Sequence, residues 1–154
     1  MRPLIKTCLA ASALAIAMAI PAQAKTLTVT TSLGSVPGPR AYVAIYVTDP
    51  KGKVYDTIYV AGRKAKYQQH LRGWARGARK SRTKPHTVTG ASAGSGKVLK
   101  AQFEIADNLI AAGYQVRVDT AVEDFADVPK AAVLTLGKDT SVRGRGIVRK
   151  VEVH

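Results

Sequence analysis

Leu27 and Val29 alternate with threonines in TLTVTTS (26–32), the period-two pattern of a strand with one buried face. AYVAIYVTD (41–49) and KVYDTIYVAG (53–62) are rich in β-branched residues and tyrosine. DPKGK (49–53) stands between them with proline and glycine placed for a turn, so the two stretches predict a hairpin. KVLKAQFEI (97–105), YQVRVDTAVE (114–123), AAVLTL (131–136) and RGIVRKVEV (145–153) continue the strand pattern. About seven short strands in a chain of this length predict a mainly β fold, a two-sheet sandwich of immunoglobulin-like type.

One stretch departs from this period. In KAKYQQHLRGWARGAR (64–79), Tyr67, Leu71, Trp74, Ala75 and Ala78 fall on one helical face, and Arg72, Arg76 and Arg79 line the adjacent one. Gly73 and Gly77 each weaken such a helix by about 1 kcal/mol relative to alanine, so the apolar stripe needs tertiary support. The pattern predicts one inserted basic helix over 64–80, crossing one end of the sandwich, followed by a loop over 81–96. There are no internal repeats.

The N-terminal stretch MRPLIKTCLAASALAIAMAIPAQA has a basic start, an apolar run and small residues before a cleavage position after Ala24. It reads as a signal peptide (1–24), too short and wrongly flanked for a retained span, leaving a single domain over 25–154. The protein is thus expected in the periplasm and not membrane-spanning once cleaved. The single cysteine, Cys8, is lost with the leader, which excludes disulfides, Cys metal sites, iron–sulfur clusters and a Cys nucleophile from the mature chain. About 130 residues are enough to bury an ordinary apolar core without such staples.

Charge narrows the partners. The chain has 24 basic and 10 acidic residues, and eleven Lys or Arg but no acid fall between Thr57 and Phe103. Such a block implies either an anionic partner or a solubilising surface. Export excludes nucleic acid and leaves anionic cofactors, phosphates, lipid headgroups or an acidic protein.

HTVTGASAGSGK (86–97) is the stretch with the most specific chemistry. A phosphate loop fails on register, because Ala91 and Val98 occupy two of its required positions. GASAG mimics the esterase nucleophile elbow around Ser92, yet a strand follows where that elbow needs a helix. His70 and His86 form a thin candidate pair for a metal or haem, with a polar helix flank as the plain alternative for His70.

TVTGAS (87–92) resembles the motif on which flavin transferases place FMN as a phosphoester in exported redox proteins. The resemblance makes Ser92 the acceptor, with Thr89, Gly90 and Ala91 matching the preceding positions and His86 standing where that motif has an acid. AYVAIYVTDPKGK (41–53), HLRGWARGARK (70–80) and HTVTGASAGSGK (86–97), in this order after a signal peptide, resemble the periplasmic domain of unknown function 2271 family. That family resemblance implies a flavin transferase and a PepSY-type transmembrane protein as partners and a role in extracytoplasmic redox chemistry or iron uptake. A redox carrier suits a chain without thiol, cluster or triad better than an autonomous enzyme does.

In such a carrier Arg72, Arg76 and Arg79 suit the FMN phosphate and the anionic reduced ring, and the Trp74 indole either stacks on the isoalloxazine or packs in the core. The rival reading is a non-catalytic periplasmic binding module for an anionic ligand, haem or a ferric siderophore, or for an acidic protein partner.

Overall fold

The computed structural model describes residues 23–36, 41–62, 64–81, 87–89 and 93–154. Residues 1–22 of the expected signal peptide (1–24) and, within the predicted loop, His86, Gly90, Ala91 and Ser92 lie outside the described residues.

Nine strands are described: β1 (Ala24–Leu33), β2 (Ala41–Thr48), β3 (Val54–Ala61), β4 (Thr87–Thr89), β5 (Val98–Ala106), β6 (Gln115–Val122), β7 (Val128–Thr135), β8 (Ser141–Arg143) and β9 (Val148–Val153). They form a four-stranded sheet in the order β5-β1-β9-β8 and a five-stranded sheet in the order β4-β3-β2-β6-β7. The five-stranded order repeats the G-F-C-C′-C″ sequence of a variable-type immunoglobulin sheet. β1 and β5 pair as its B and E strands do, and the C-terminal β9 occupies the place of strand A. The expected mainly β sandwich is thus the architecture observed.

The alternating strands bury one face between the sheets, where Val29, Val43, Ile45, Val47, Phe103, Val118, Leu134 and Val151 meet. β2 does not alternate, and all eight of its residues are buried. A strand covered on both faces reads as an unbroken apolar run. Its second cover is a helical layer made of α1 (Ala65–Gln68) and α2 (Arg72–Ser81). Leu71, Trp74 and Ala75 pack on Tyr42, Ala44 and Tyr46 of β2 and on Val60 and Ala121, with Tyr67 and Ala78 at the margin.

Two expectations are corrected here. The predicted helix over 64–80 is two helices with a turn at Gln69–Leu71, and it lies over the outer face of the five-stranded sheet rather than across one end of the sandwich. The predicted loop over 81–96 contains the three-residue strand β4, which runs parallel to β3. Parallel neighbours need a crossover of a dozen or more residues, usually helical, and α1 with α2 provides it. The structure also adds the short β8 and a turn of helix, α3 (Asp107–Ala111), that alternation alone did not show.

α2 comes closer to the sheet than an alanine helix can. A Cβ on Gly73 would lie 2.6 Å from Asp119 Oδ2, and one on Gly77 would lie 2.1 Å from Val54 Cγ2. The two glycines that weaken the helix are therefore what lets it dock.

Candidate functional site

Beneath the first turn of α2, the β6 residue Asp119 is fully buried on the helix-facing side of the sheet. Its Oδ1 accepts from the Tyr46 hydroxyl and from the Lys130 backbone N–H, both at 2.9 Å, and its Oδ2 accepts from the Trp74 backbone N–H at 2.9 Å. The carboxylate thus satisfies a helix N-terminal N–H that has no partner within the helix and sits at the positive end of the helix dipole. It also holds open an irregularity in the β6–β7 pairing, where the register shifts between Val118 and Thr120 and Lys130 takes a positive φ of 52°. Burial first, and then the Asp119 charge and hydrogen bond, push the Tyr46 hydroxyl well above the ordinary tyrosine range, while Arg117 opposes the shift. Tyr46 is therefore a fixed neutral donor. Sequence reasoning missed this centre. Its one signal is an aspartate inside the apolar run QVRVDTAV (115–122), on the same strand face as Arg117 and Ala121.

Two concavities flank this centre on the helix side. The first, about 750 Å³, lies between α2, the β2–β3 turn and the β7 irregularity, and Tyr46, Gly73 and Gly77 form part of its lining. Seven of its lining residues are Lys or Arg and none is acidic. The second, about 380 Å³, lies toward the Ala41 end of β2 and is lined by Tyr42, Tyr67, His70 and Phe125 together with Glu123, Asp124 and Asp127. The Tyr42 and Tyr67 rings lie 5.7 Å apart, and the Tyr42 hydroxyl donates to Glu123 at 3.0 Å. Arg72 stands at the boundary, its Nε 2.9 Å from Asp127 Oδ2, and His70 Nδ1 lies 3.6 Å from the same oxygen.

The sequence-predicted residues distribute unevenly over this surface. Trp74 is 8% exposed, and its indole N–H donates to Thr57 Oγ1 at 3.0 Å, so the ring serves the helix–sheet contact. Arg72 and Arg76 line the basic concavity, while the exposed Arg79 turns its Nε back to the Ala75 carbonyl at 3.2 Å. Thr89 closes β4 opposite Ala61, and Ala93 is bridged to Ala41, so the described flanks of the TGAS stretch lie at the Ala41 end of the sheet. Tyr46 is five residues along β2 from Ala41, roughly 17 Å in a strand. The arginine concavity and the acceptor-loop flanks therefore occupy opposite ends of the helix-covered sheet. The aromatic concavity beside Tyr42 is at the acceptor-loop end. Of the histidine pair only His70 is described. Among the described residues no group of three or more His, Cys, Asp or Glu is arranged to hold a metal ion.

A family model described as "Predicted periplasmic protein (DUF2271)" matches residues 24–150, nearly everything after the leader-like stretch. The chain belongs to the DUF2271 family. No curated protein and no solved structure matches it. The family description agrees with the export expected from the N-terminal stretch, and this DUF2271 protein is periplasmic. None of its helices, among the described residues, is long and apolar enough to cross a membrane.

Proposed function

We propose that this protein is a periplasmic electron carrier that holds FMN as a phosphoester on Ser92 and relays electrons between a PepSY-type membrane protein and an extracytoplasmic acceptor, including one in iron uptake. The supporting observation is the position of the residues that flank the acceptor sequence. Thr89 ends β4, which among the described residues is an edge strand with no further neighbour in the five-stranded sheet, and Ala93, just past Ser92, is bridged to Ala41. An edge strand offers free backbone groups to an extended-peptide reader, which is how a transferase can take hold of the loop. In the transfer, Ser92 Oγ forms a bond to the FMN phosphorus of a flavin dinucleotide. The nucleotide monophosphate leaves and the hydroxyl proton passes to the transferase.

The surroundings give this reading a specific consequence. The concavity at the acceptor-loop end has aromatic walls in Tyr42, Tyr67 and Phe125, suited to a flat ring, and three carboxylates. Negative charge beside a flavin disfavours its anionic reduced form. A low reduction potential is therefore expected in place of the high one that neighbouring arginines give.

Co-expression with a flavin transferase tests the reading. The expected result is a yellow protein whose intact mass rises by one FMN less water, with the modification abolished in Ser92→Ala. A colourless wild-type protein of unmodified mass contradicts it.

A further inference from the structure

We propose that the concavity between α2 and the β2–β3 turn is a binding site for a small polyanion, a molecule carrying two or more closely spaced phosphate or carboxylate groups. The proposal is independent of Ser92 and of any flavin.

The site is built from elements far apart in sequence. Arg76 and Lys80 stand one helical turn apart on α2, Lys51 and Lys53 come from the β2–β3 turn, Arg117 from β6 and Lys130 from the β7 irregularity. Among the described residues none of these six forms an ion pair. The seventh basic residue, Arg72, is the one committed to a carboxylate, Asp127. Like charges gathered in a concavity repel one another, and a bound polyanion relieves that repulsion.

The geometry is also fixed in advance. Arg117 Nε and Nη2 donate to Gln115 Oε1 at 3.2 and 2.8 Å, which orients the guanidinium. Its Nη1 lies against the turn at Gly52, 2.9 Å from where a Cβ would stand. Gly73 and Gly77 draw α2 down so that Arg76 and Lys80 border the same space as the hairpin lysines. Lys130 is held by the Asp119 hydrogen bond to its backbone N–H. Asp119 itself is buried, with Tyr46, Trp74 and Lys130 as donors, so its charge is taken up within the fold. Planar guanidinium groups at Arg76 and Arg117 match the paired oxygens of phosphate and carboxylate, and the lysines add unoriented charge.

Size favours a small molecule over a macromolecular surface. The concavity, about 750 Å³, falls within the roughly 300–1,000 Å³ of ordinary ligand sites. It is bordered by helix, turn and strand, which set its charges around one space.

Isothermal titration of inorganic pyrophosphate and of citrate into the Ser92→Ala protein tests the proposal, because no covalent flavin phosphate is then present. Binding at a stoichiometry of one is expected for at least one probe, with tighter pyrophosphate binding assigning a phosphate ligand and tighter citrate binding a carboxylate one. Affinity should fall with salt and should drop by about tenfold or more in Lys53→Glu/Arg76→Glu, both exposed positions, when that variant's circular dichroism is native. Lys100→Glu, on the opposite sheet, should bind like the parent. The proposal is overturned if neither probe binds more tightly than chloride at matched ionic strength, if Lys100→Glu weakens binding as much as the double variant, or if only long polyanions such as heparin bind.

Discussion

Asp119 does three things with two oxygens. It receives the first-turn N–H of Trp74, the N–H of Lys130 in its left-handed conformation, and the hydroxyl of Tyr46. Replacing it with alanine leaves all three donors without their acceptor in a region closed to water, and each unmet buried donor costs about 1–3 kcal/mol. Asp119→Ala is expected to lower unfolding free energy by about 3 kcal/mol or more, measured by urea denaturation at neutral pH. Tyr46 makes a separate prediction. Its folded pKa is raised, so above the unfolded value of about 10 the unfolded chain releases a proton that the folded chain keeps. The Tyr46 contribution is therefore complete below pH 10 and declines as pH rises beyond it. Denaturation between pH 8 and 11 should show a stability loss that is shallower in Tyr46→Phe, and equal slopes would contradict the buried pair. His86 belongs to this scale as well. It stands where the transferase motif has an acid, so His86→Asp should raise the flavinylated fraction seen by intact mass.

At the level of elements, α2 shows what the sequence reveals and what it conceals. The stripe Tyr67, Leu71, Trp74, Ala75 and Ala78 was legible from spacing alone, because the hydrophobic period is a local property of the chain, and these residues do form the docked face. Where the stripe lands was not read, since that required β2, AYVAIYVT, to be recognised as a strand without a solvent face. The Asp119 centre was out of reach for the same kind of reason. Its partners come from 73, 45 and 11 residues away, and no local pattern joins them. β4 has three residues, too few for a period to register. The glycines carry a prediction of reversed sign. Helix propensity favours Gly73→Ala and Gly77→Ala by about 1 kcal/mol each, yet both methyl groups would overlap buried partners, Asp119 Oδ2 and Val54 Cγ2. Both substitutions are expected to destabilise in thermal melts. A rise in melting temperature for either would mean that α2 is not seated as described.

The whole molecule divides its charged and aromatic side chains between the two ends of one covered sheet. Basic residues gather at the β2–β3 turn end, and aromatic and acidic ones at the end where the acceptor loop joins β4 and Ala93. The excess positive charge of the chain, formally +14, is therefore not spread evenly over the described surface. Charge composition led to the expectation of an anionic partner, but only the fold shows that the basic concavity with Arg76 lies away from the described flanks of the TGAS stretch. The proposed attachment therefore depends on one hydroxyl, Ser92 Oγ, with no help required from Arg76. Trypsin releases that hydroxyl, together with those of Thr83, Thr87, Thr89 and Ser95, in the peptide spanning 83–97, because Pro85 protects Lys84 from cleavage. Fragmentation of this peptide from protein co-expressed with a flavin transferase is the most direct test. FMN on Ser92 alone is the expected result. An unmodified peptide, or FMN carried on any other hydroxyl of it, contradicts the proposed attachment.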